Sequence, residues 1–316
     1  MKIIVTGALG HIGSKLIRKI PLIYNNSNII LIDNLLTQRY SSLFNLPAEG
    51  NFSFVQADVV KEDIEYIFDE VSIVIHLAAI TNATNSFKNQ KEFEENNFFA
   101  TKIIADLCLK NKIPILSLSS TSVYGSQEET VDENCKIEDL NPQSPYADIK
   151  LKEEYYLNKL KIEKGLKFTC LRFGTIFGVS PGMRFHTAVN KFCWQAVLGS
   201  PLTVWKTALN QKRPYLELDD AINSIIFIIK NNLFNGEIYN VLSCNVTVSN
   251  IIEIIQKNVK KLEIEYVENE IMNQLSYNVS NKKIISKGFE FTGDLEVGIY
   301  ETINILKNSN HYNRLV

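Results

Sequence analysis

Tyr146 and Lys150 lie four residues apart in Tyr146-Ala147-Asp148-Ile149-Lys150, just after Pro145, in a segment with Leu151, Tyr155, Leu157 and Leu160 at helical spacing. Residues i and i+4 share one helix face. A free tyrosine ionises near pH ~10 and is a poor base at neutrality, but a neighbouring ammonium stabilises the phenolate and lets it exchange a proton. Tyr and Lys at this spacing also occur on ordinary surface helices, so a third group matters. Ser119-Ser120-Thr121-Ser122-Val123-Tyr124-Gly125 closes an apolar strand-like run. Read alone it is a polar strand end; beside Tyr146, its hydroxyls can hold an alcohol or ketone while the tyrosine moves the proton and a nicotinamide moves a hydride.

A site for such a nicotinamide cofactor is visible at the amino end. Gly7-Ala8-Leu9-Gly10-His11-Ile12-Gly13 has glycines three apart, follows Ile3 to Thr6, and opens a helical pattern of Ile12, Leu16, Ile17 and Ile20. Missing side chains let the backbone approach a pyrophosphate, and the helix N-terminus offers free N–H groups and partial positive charge. Asp33 ends the second strand, twenty residues beyond Gly13, where a carboxylate accepts from a ribose diol and repels a 2′-phosphate. The cofactor read from this pattern is NAD rather than NADP. Asp58 either meets the adenine edge or caps a helix starting near Lys61. His76-Leu77-Ala78-Ala79 ends the fourth strand in small residues that let a flat ligand pass, with His76 read as packing and hydrogen-bonding rather than catalytic. Six arginines stand against 27 lysines, and three of the six fall between 172 and 213. Arg184 or Arg213 is suited to a bidentate diphosphate contact, or equally to an intramolecular carboxylate.

These groups must be positioned by alternating elements. Apolar runs at Ile3 to Thr6, Ile29 to Ile32, Phe52 to Gln56, Ile73 to Leu77, Ile115 to Ser119 and Phe168 to Arg172 alternate with helical stretches. That rhythm predicts an α/β fold, a Rossmann-type doubly wound parallel sheet binding ligands at the carboxyl ends of its strands. After about Thr175, Pro181, Gly182, Gly199 and Pro201 punctuate shorter pieces, including strands near Leu202 to Trp205 and Ile264 to Val267. Residues 1–175 are read as the NAD-binding domain and 176–316 as a smaller substrate lobe. The segment 219–241 is expected to return to the first domain as a helix capped by Asp219 or Asp220 and a strand at Glu237 to Val241.

With 316 residues, 45% hydrophobic, the chain can bury a full core, and its net charge of -2 supplies no field for nucleic acid. The longest apolar stretch, near Ala221 to Ile229, falls short of the ~20 residues of a bilayer span. The N-terminus runs directly into a strand pattern without a leader signature, so a cytoplasmic location is expected. Five scattered cysteines and four dispersed histidines, His11, His76, His186 and His311, predict neither disulfides nor a metal site.

Taken together, Thr6-Gly7-x-x-Gly10-x-x-Gly13, Ile32-Asp33-Asn34-Leu35, His76-Leu77-Ala78-Ala79, Asn97, Ser120 with Val123-Tyr124-Gly125, Tyr146-x-x-x-Lys150, Arg213 to Asp220, Gly236-x-x-Tyr239-Asn240-Val241 and Ser280 to Lys283 resemble the extended short-chain dehydrogenase/reductase family. The resemblance is to its NAD-dependent nucleotide-sugar epimerases and dehydratases, the UDP-glucose 4-epimerase-like members, and covers essentially the whole chain. It implies that Tyr146 is the acid/base, Lys150 its electrostatic partner, Ser120 the hydroxyl on the reacting oxygen and Arg213 a diphosphate contact. It also implies cofactor contacts from Gly7, Gly10, His11, Ile12, Gly13, Asp33, Asn34, Asp58, Val59, Leu77, Ala78, Ala79 and Asn97, together with Tyr146 and Lys150. Substrate contacts are implied for Ser120, Ser122, Thr175, Arg184, Asn190 and Arg213. The implied substrate is a nucleotide-diphosphate sugar oxidised at carbon 4. The implied assembly is a homodimer through the helices near Asn96 to Lys110 and Tyr146 to Ile162.

Three departures refine this. The dehydratases carry an Asp-Glu pair after the catalytic Ser/Thr, where this chain has Thr121 and Ser122, which favours epimerisation over elimination of water. Thr175 replaces an asparagine usual in UDP-galactose 4-epimerases, and Ser180 to Phe185 with Asn190 is similar to members acting on other nucleotide sugars, including nucleotide-heptose 4-dehydrogenases. Pro214 stands where many relatives have aspartate. A net 4-dehydrogenase or 4-ketoreductase is the alternative reading, and a non-catalytic NAD-binding protein the remote one.

Overall fold

β-branched apolar runs favour strands, and where both neighbouring layers are helices the runs are apolar on both faces. Ile3 and Val5 point to one face of the first strand and Ile4 to the other; all three are fully buried, in two different core clusters. The computed structural model describes residues 1–125, 130–259, 261–267 and 276–308. His311 lies outside the described residues.

The strands are β1 (Lys2–Thr6), β2 (Asn28–Asp33), β3 (Asn51–Gln56), β4 (Ile73–His76), β5 (Ile115–Ser120), β6 (Thr130–Val131), β7 (Phe168–Phe173), β8 (Thr175–Phe177), β9 (Leu202–Trp205), β10 (Lys212–Glu217), β11 (Ile238–Val241), β12 (Cys244–Thr247), β13 (Ile264–Val267) and β14 (Asn278–Val279). The helices are α1 (His11–Ile23), α2 (Ala83–Ser86), α3 (Gln90–Phe93), α4 (Phe99–Lys110), α5 (Pro145–Lys164), α6 (Ala188–Val197), α7 (Leu218–Lys230), α8 (Val248–Asn258), α9 (Lys282–Ile285) and α10 (Leu295–Leu306). Seven strands form one parallel sheet in the order β11-β7-β5-β4-β1-β2-β3. The chain turns outward in opposite directions from β1, toward β2 on one side and β4 on the other. Such a switch point opens a crevice at the carboxyl ends of the strands.

One face of the sheet is covered by α1 and α7, whose Leu16, Ile17, Ile222 and Ile225 pack on Ile3 and Val5. The other is covered by α4 and α5, with Ile104, Cys108, Leu157 and Leu160 against Ile4 and Val74. Helix α5 is tightly delimited. Ser144 caps it, its hydroxyl accepting from Ala147 N at 3.2 Å; Pro145 occupies the first turn, and Gly165 ends it in the left-handed region. Tyr146 and Lys150 are thereby held in the first two turns, beside the ends of the strands.

The second lobe contains the three-stranded β12-β10-β8 sheet and the parallel β9-β13 pair, with α6, α8 and α10 around Phe177, Val189, Phe192, Ile251 and Ile299. Helix α7 and strand β11 pack with the large sheet, as do Ile284 of α9 and Phe289. Two local expectations need correction. No helix starts near Lys61; the chain turns there and makes only a 3-10 segment, Glu65–Phe68, and β3 is left as an exposed edge on which Phe54 faces solvent. The cap of α7 is Glu217, which accepts from Asp219 N at 2.6 Å and Asp220 N at 3.3 Å, not Asp219 or Asp220.

Asp220 is instead fully buried and ties distant segments together. It accepts from Ser243 Oγ at 2.6 Å, Thr292 N at 2.9 Å and Gly293 N at 3.0 Å. Among the described residues no helix is long and apolar enough to cross a membrane, and no cluster of His, Cys, Asp and Glu could hold a metal. The five cysteines are free thiols. Replacing Asp220 with alanine removes the hydrogen bonds from Ser243, Thr292 and Gly293 to a buried carboxylate and should cost about 3 kcal/mol, read from urea unfolding; a loss below ~0.5 kcal/mol would contradict this anchoring role.

Candidate active site

The glycine loop forms a cradle that side chains would fill. Gly7 lies at φ +64, and a Cβ there would sit 2.7 Å from Ala78 N; one on Gly13 would sit 2.5 Å from Gly7 O. Gly10 caps α1 without any side-chain bond, and no acidic residue occupies the first turn, so the positive end of the helix stays open to an anion. Asp33 leans into the loop: Oδ2 accepts from Leu9 N at 3.0 Å and Oδ1 from Leu35 N at 2.9 Å. A carboxylate retains lone pairs after two such bonds, so it can still accept from a diol. Arg39, counted but given no role from sequence, reaches the outer side of Gly10, where its guanidinium feels Asp33. These features fit a dinucleotide.

The remaining residues expected near a cofactor divide into those that face the crevice and those that build it. Ile12, Leu77, Ala78 and Ala79 line it. His11 faces the second lobe, its Nε2 2.8 Å from Gly178 O, and burial with nearby Arg184 pushes its imidazole down to about 3. Asn34 Oδ1 is used by Leu36 N at 3.0 Å, and Asp58 pairs with Lys61 at 3.0 Å while accepting from Val60 N at 3.1 Å. Val59 is buried in the core. Asn97 spends both amide atoms on Ile80, accepting at 2.7 Å and donating at 2.9 Å, and so shapes the loop after β4. His76 is a buried hydrogen-bonding residue, with Nδ1 2.7 Å from Thr6 Oγ1 and Nε2 3.1 Å from Thr101 Oγ1. The same Thr6 hydroxyl accepts from Leu77 N and Ala78 N, both at 3.2 Å.

Between the lobes lies a cavity of about 320 Å³. Ser120, Ser122, Tyr146 and Lys150 line it from the large sheet, and Thr175, Arg184 and Arg213 from the second lobe. The structure thus unites the three residues read as the chemical group. Ser120 Oγ accepts from Ser122 N at 3.2 Å and from Ser122 Oγ at 2.9 Å. Lys150 is buried with Nζ 2.8 Å from Glu153; burial alone would lower its pKa, but Glu153 and Tyr146 outweigh it and the ammonium is held above its ordinary value. Beneath it, Arg172 on β7 forms a two-pronged pair with Glu154 at 2.9 and 2.6 Å and lies over the Tyr124 ring. Of the three clustered arginines, Arg172 has its intramolecular carboxylate in Glu154.

Residues 178–184 cross the mouth of the glycine loop as a strap. Ser180 Oγ donates to His11 O at 2.8 Å, and Gly182 N to Ser14 Oγ at 2.9 Å. Asn190 holds the strap from behind, accepting from Gly178 N at 3.2 Å and donating to Arg184 O at 3.0 Å; it does not line the cavity. Arg184 donates to Thr81 Oγ1 across the crevice, makes no ion pair with a carboxylate among the described residues, and has its Nε buried without a hydrogen bond. Burial lowers its pKa, and Tyr146 is the neighbour that opposes this, which places the guanidinium near that tyrosine. Arg213 bonds Gln211 Oε1 at 3.2 Å and lines the cavity with Tyr215, Val248 and Tyr277.

Sequence reading passed over Thr81, His186, Lys191 and Trp205, which also line the cavity, and Glu153 behind Lys150. None sits in a spacing that signals chemistry; His186 follows Arg184 by two in irregular chain, and Lys191 is one lysine of many.

Residues 3–241 match the model of the NAD dependent epimerase/dehydratase family. The chain belongs to this family. An uncharacterized UDP-glucose epimerase of Bacillus subtilis is 30% identical over 250 residues, covering 76% of this chain and 76% of that protein. A dTDP-D-glucose 4,6-dehydratase of Dictyostelium discoideum is 27% identical, covering 98% of this chain and 82% of its own length. The same fold is seen in UDP-glucuronic acid 4-epimerase of Bacillus cereus, solved with UDP-glucuronic acid and NAD, at TM-score 0.89 and 23% identity over 98% of this chain and 99% of that one. The cofactor of this epimerase/dehydratase family member is NAD.

Two outcomes follow from the cradle. Gly13→Ala drives a methyl group into the Gly7 carbonyl, so the purified variant should retain less than about a tenth of the wild-type NAD content, measured by cofactor release on denaturation. His11 is neutral when folded but titrates near its ordinary value of 6.5 when unfolded, so its contribution to stability is complete above pH ~6.5 and is lost as pH falls toward about 3. Urea unfolding of His11→Gln should therefore fall less steeply than wild type between pH 6.5 and 4; parallel curves would contradict the assignment.

Proposed function

We propose that this chain is a nucleotide-sugar epimerase that works by transient oxidation at carbon 4 of the sugar. The observation that carries the reading is the sign of the cavity: its described lining contains Lys150, Arg184, Lys191 and Arg213 and no aspartate or glutamate. A cationic cavity suits a dianionic diphosphate. Among the described residues the lining offers no carboxylate to act as acid or base in elimination between carbons 5 and 6. Thr121, in one of the two positions concerned, is buried and turned to Phe173 O at 3.3 Å.

In this reading Ser120 and Ser122 hold the carbon-4 oxygen, and Tyr146 accepts its proton while Lys150 stabilises the phenolate. NAD, held by the glycine loop and Asp33, supplies hydride acceptance and return. Tyr146 then gives the proton back to the same oxygen after the ring presents its other face. Arg213 is assigned to the diphosphate, and Thr175 and Arg184 to the sugar, since Arg184 faces Tyr146. Asn190, by holding the strap, positions Arg184. A homodimer is supported by Phe99, Tyr155 and Ile162, exposed on the adjacent α4 and α5.

The test is incubation of the purified protein with UDP-glucose, UDP-glucuronic acid and other nucleotide sugars, without added cofactor, followed by NMR and NADH absorbance. A new stereoisomer at equilibrium without lasting NADH is expected; a keto sugar with NADH accumulating once per site would instead establish a net 4-dehydrogenase. Tyr146→Phe should lower kcat by ~10²–10⁴-fold while NAD stays bound. Unchanged turnover would remove Tyr146 from the mechanism.

A further inference from the structure

Glu153 is an expensive residue in an odd place. It lies one turn after Lys150 on the buried face of α5, the two side chains only 3% and 6% exposed, with Oε2 2.8 Å from Lys150 Nζ. A carboxylate in such a site costs several kcal/mol of desolvation, and a buried ion pair recovers that at best partly. Glu154 next to it justifies its burial by fastening α5 to Arg172 of β7. Thr101 of α4 offers Glu153 a hydroxyl, but its ion-pair partner is on its own helix and its Oε1 has no hydrogen bond. Its effect is therefore on Lys150.

We propose that Glu153 is a positioning residue for the proton-transfer pair, holding the Lys150 ammonium at the foot of Tyr146 and balancing its charge, so that it sets the pH range in which Tyr146 serves as base. This rests on the reading of Tyr146 and Lys150 as the acid/base pair.

The surroundings leave Glu153 as the dominant charge on Lys150. Thr101 of α4 stands beside the carboxylate, and His76 at the end of β4 is kept neutral, pushed down to about 3 by burial and by Lys150 itself. Cys170 of β7 stays a thiol, raised by burial, and Arg172 and Glu154 are spent on each other. With Glu153 ionised, the Lys150–Glu153 unit is neutral and adds little to the positive field at Tyr146, while Arg184 contributes the same charge from the strap whatever stands at 153. With glutamine in its place the buried ammonium is unbalanced, and the Tyr146–Lys150 pair gives up its first proton at lower pH.

The experiment is the pH dependence of kcat for the holoenzyme as wild type, Glu153→Gln and Glu153→Asp, with the ultraviolet phenolate titration of Tyr146 taken as the difference from Tyr146→Phe in each background. Glu153→Gln should move the acid limb, and the phenolate titration, to lower pH by about one unit or more. Glu153→Asp, which keeps the charge on a shorter arm, should fall between. Should Glu153→Gln not fold, the Glu153→Asp comparison decides, since an unmoved limb there overturns the proposal. A loss of rate at every pH without displacement of limb or titration would mean that Glu153 is merely structural, and also overturns it. The titration needs no turnover: if no nucleotide sugar reacts but the phenolate still moves, the epimerase reading fails and the coupling stands.

Discussion

Everything at the chemical end depends on one helix face that carries charge into the core. α5 turns Lys150, Glu153 and Glu154 inward together with Ala147, Leu157 and Leu160, and all six are buried. Charges in such a layer persist only when each has a partner within hydrogen-bond range. Glu154 has Arg172, and Lys150 has Glu153. The first pair locks the helix to β7, and the second leaves an ammonium permanently facing the cavity beneath Tyr146. Arg172 in turn lies on Tyr124, whose hydroxyl donates to Asn240 of β11 at 2.9 Å, so the edge strand that returns late in the chain helps hold the same base plate.

The cofactor end relies on backbone rather than charge pairing. Gly7 and Gly13 bring β1, the first turn of α1 and the loop after β4 to a separation that a methyl group would prevent. Thr6 then fixes that loop through Leu77 and Ala78, and Asn97 fixes it through Ile80. Polar groups that a motif reading assigns to ligand are here largely occupied in shaping the walls, while the N-terminus of α1 is left uncapped for an anion. Rigid walls of this kind orient a bound ring without spending binding energy on their own ordering.

Specific bonds tie the strap to the glycine loop. The strap at 178–184 is held by His11 and Ser14 on one side and Asn190 on the other, and it delivers Arg184 to the crevice. Asp220 and Glu217 gather the segments around the start of α7, where the return to the large sheet begins. The cationic character of the cavity therefore results from assembly: Lys150 comes from one lobe, and Arg184, Lys191 and Arg213 from the other.

Much of this was legible in the chain. The strand runs, the glycine spacing, Asp33 at the end of β2 and the Tyr146, Lys150 and Ser120 set follow local rules of period, turn chemistry and side-chain reach, so the α/β sheet and the gathering of these three residues at one cavity could be read directly. Local pattern failed where a residue's role depends on a distant partner. Asp220 has the look of a helix cap, yet its partners are Ser243, Thr292 and Gly293; Asn97 and Asn190 fit ligand motifs but shape loops; Arg184 and Arg172 are alike in sequence, and only packing gives one a carboxylate and leaves the other facing the cavity. Glu153 shows the limit most clearly. Its spacing from Lys150 was always visible, but a Glu three residues after a Lys on a helix is ordinarily a solvated pair of little consequence. Only the tertiary structure, by burying that face against the sheet, removes the water and makes this a buried pair rather than a solvated one.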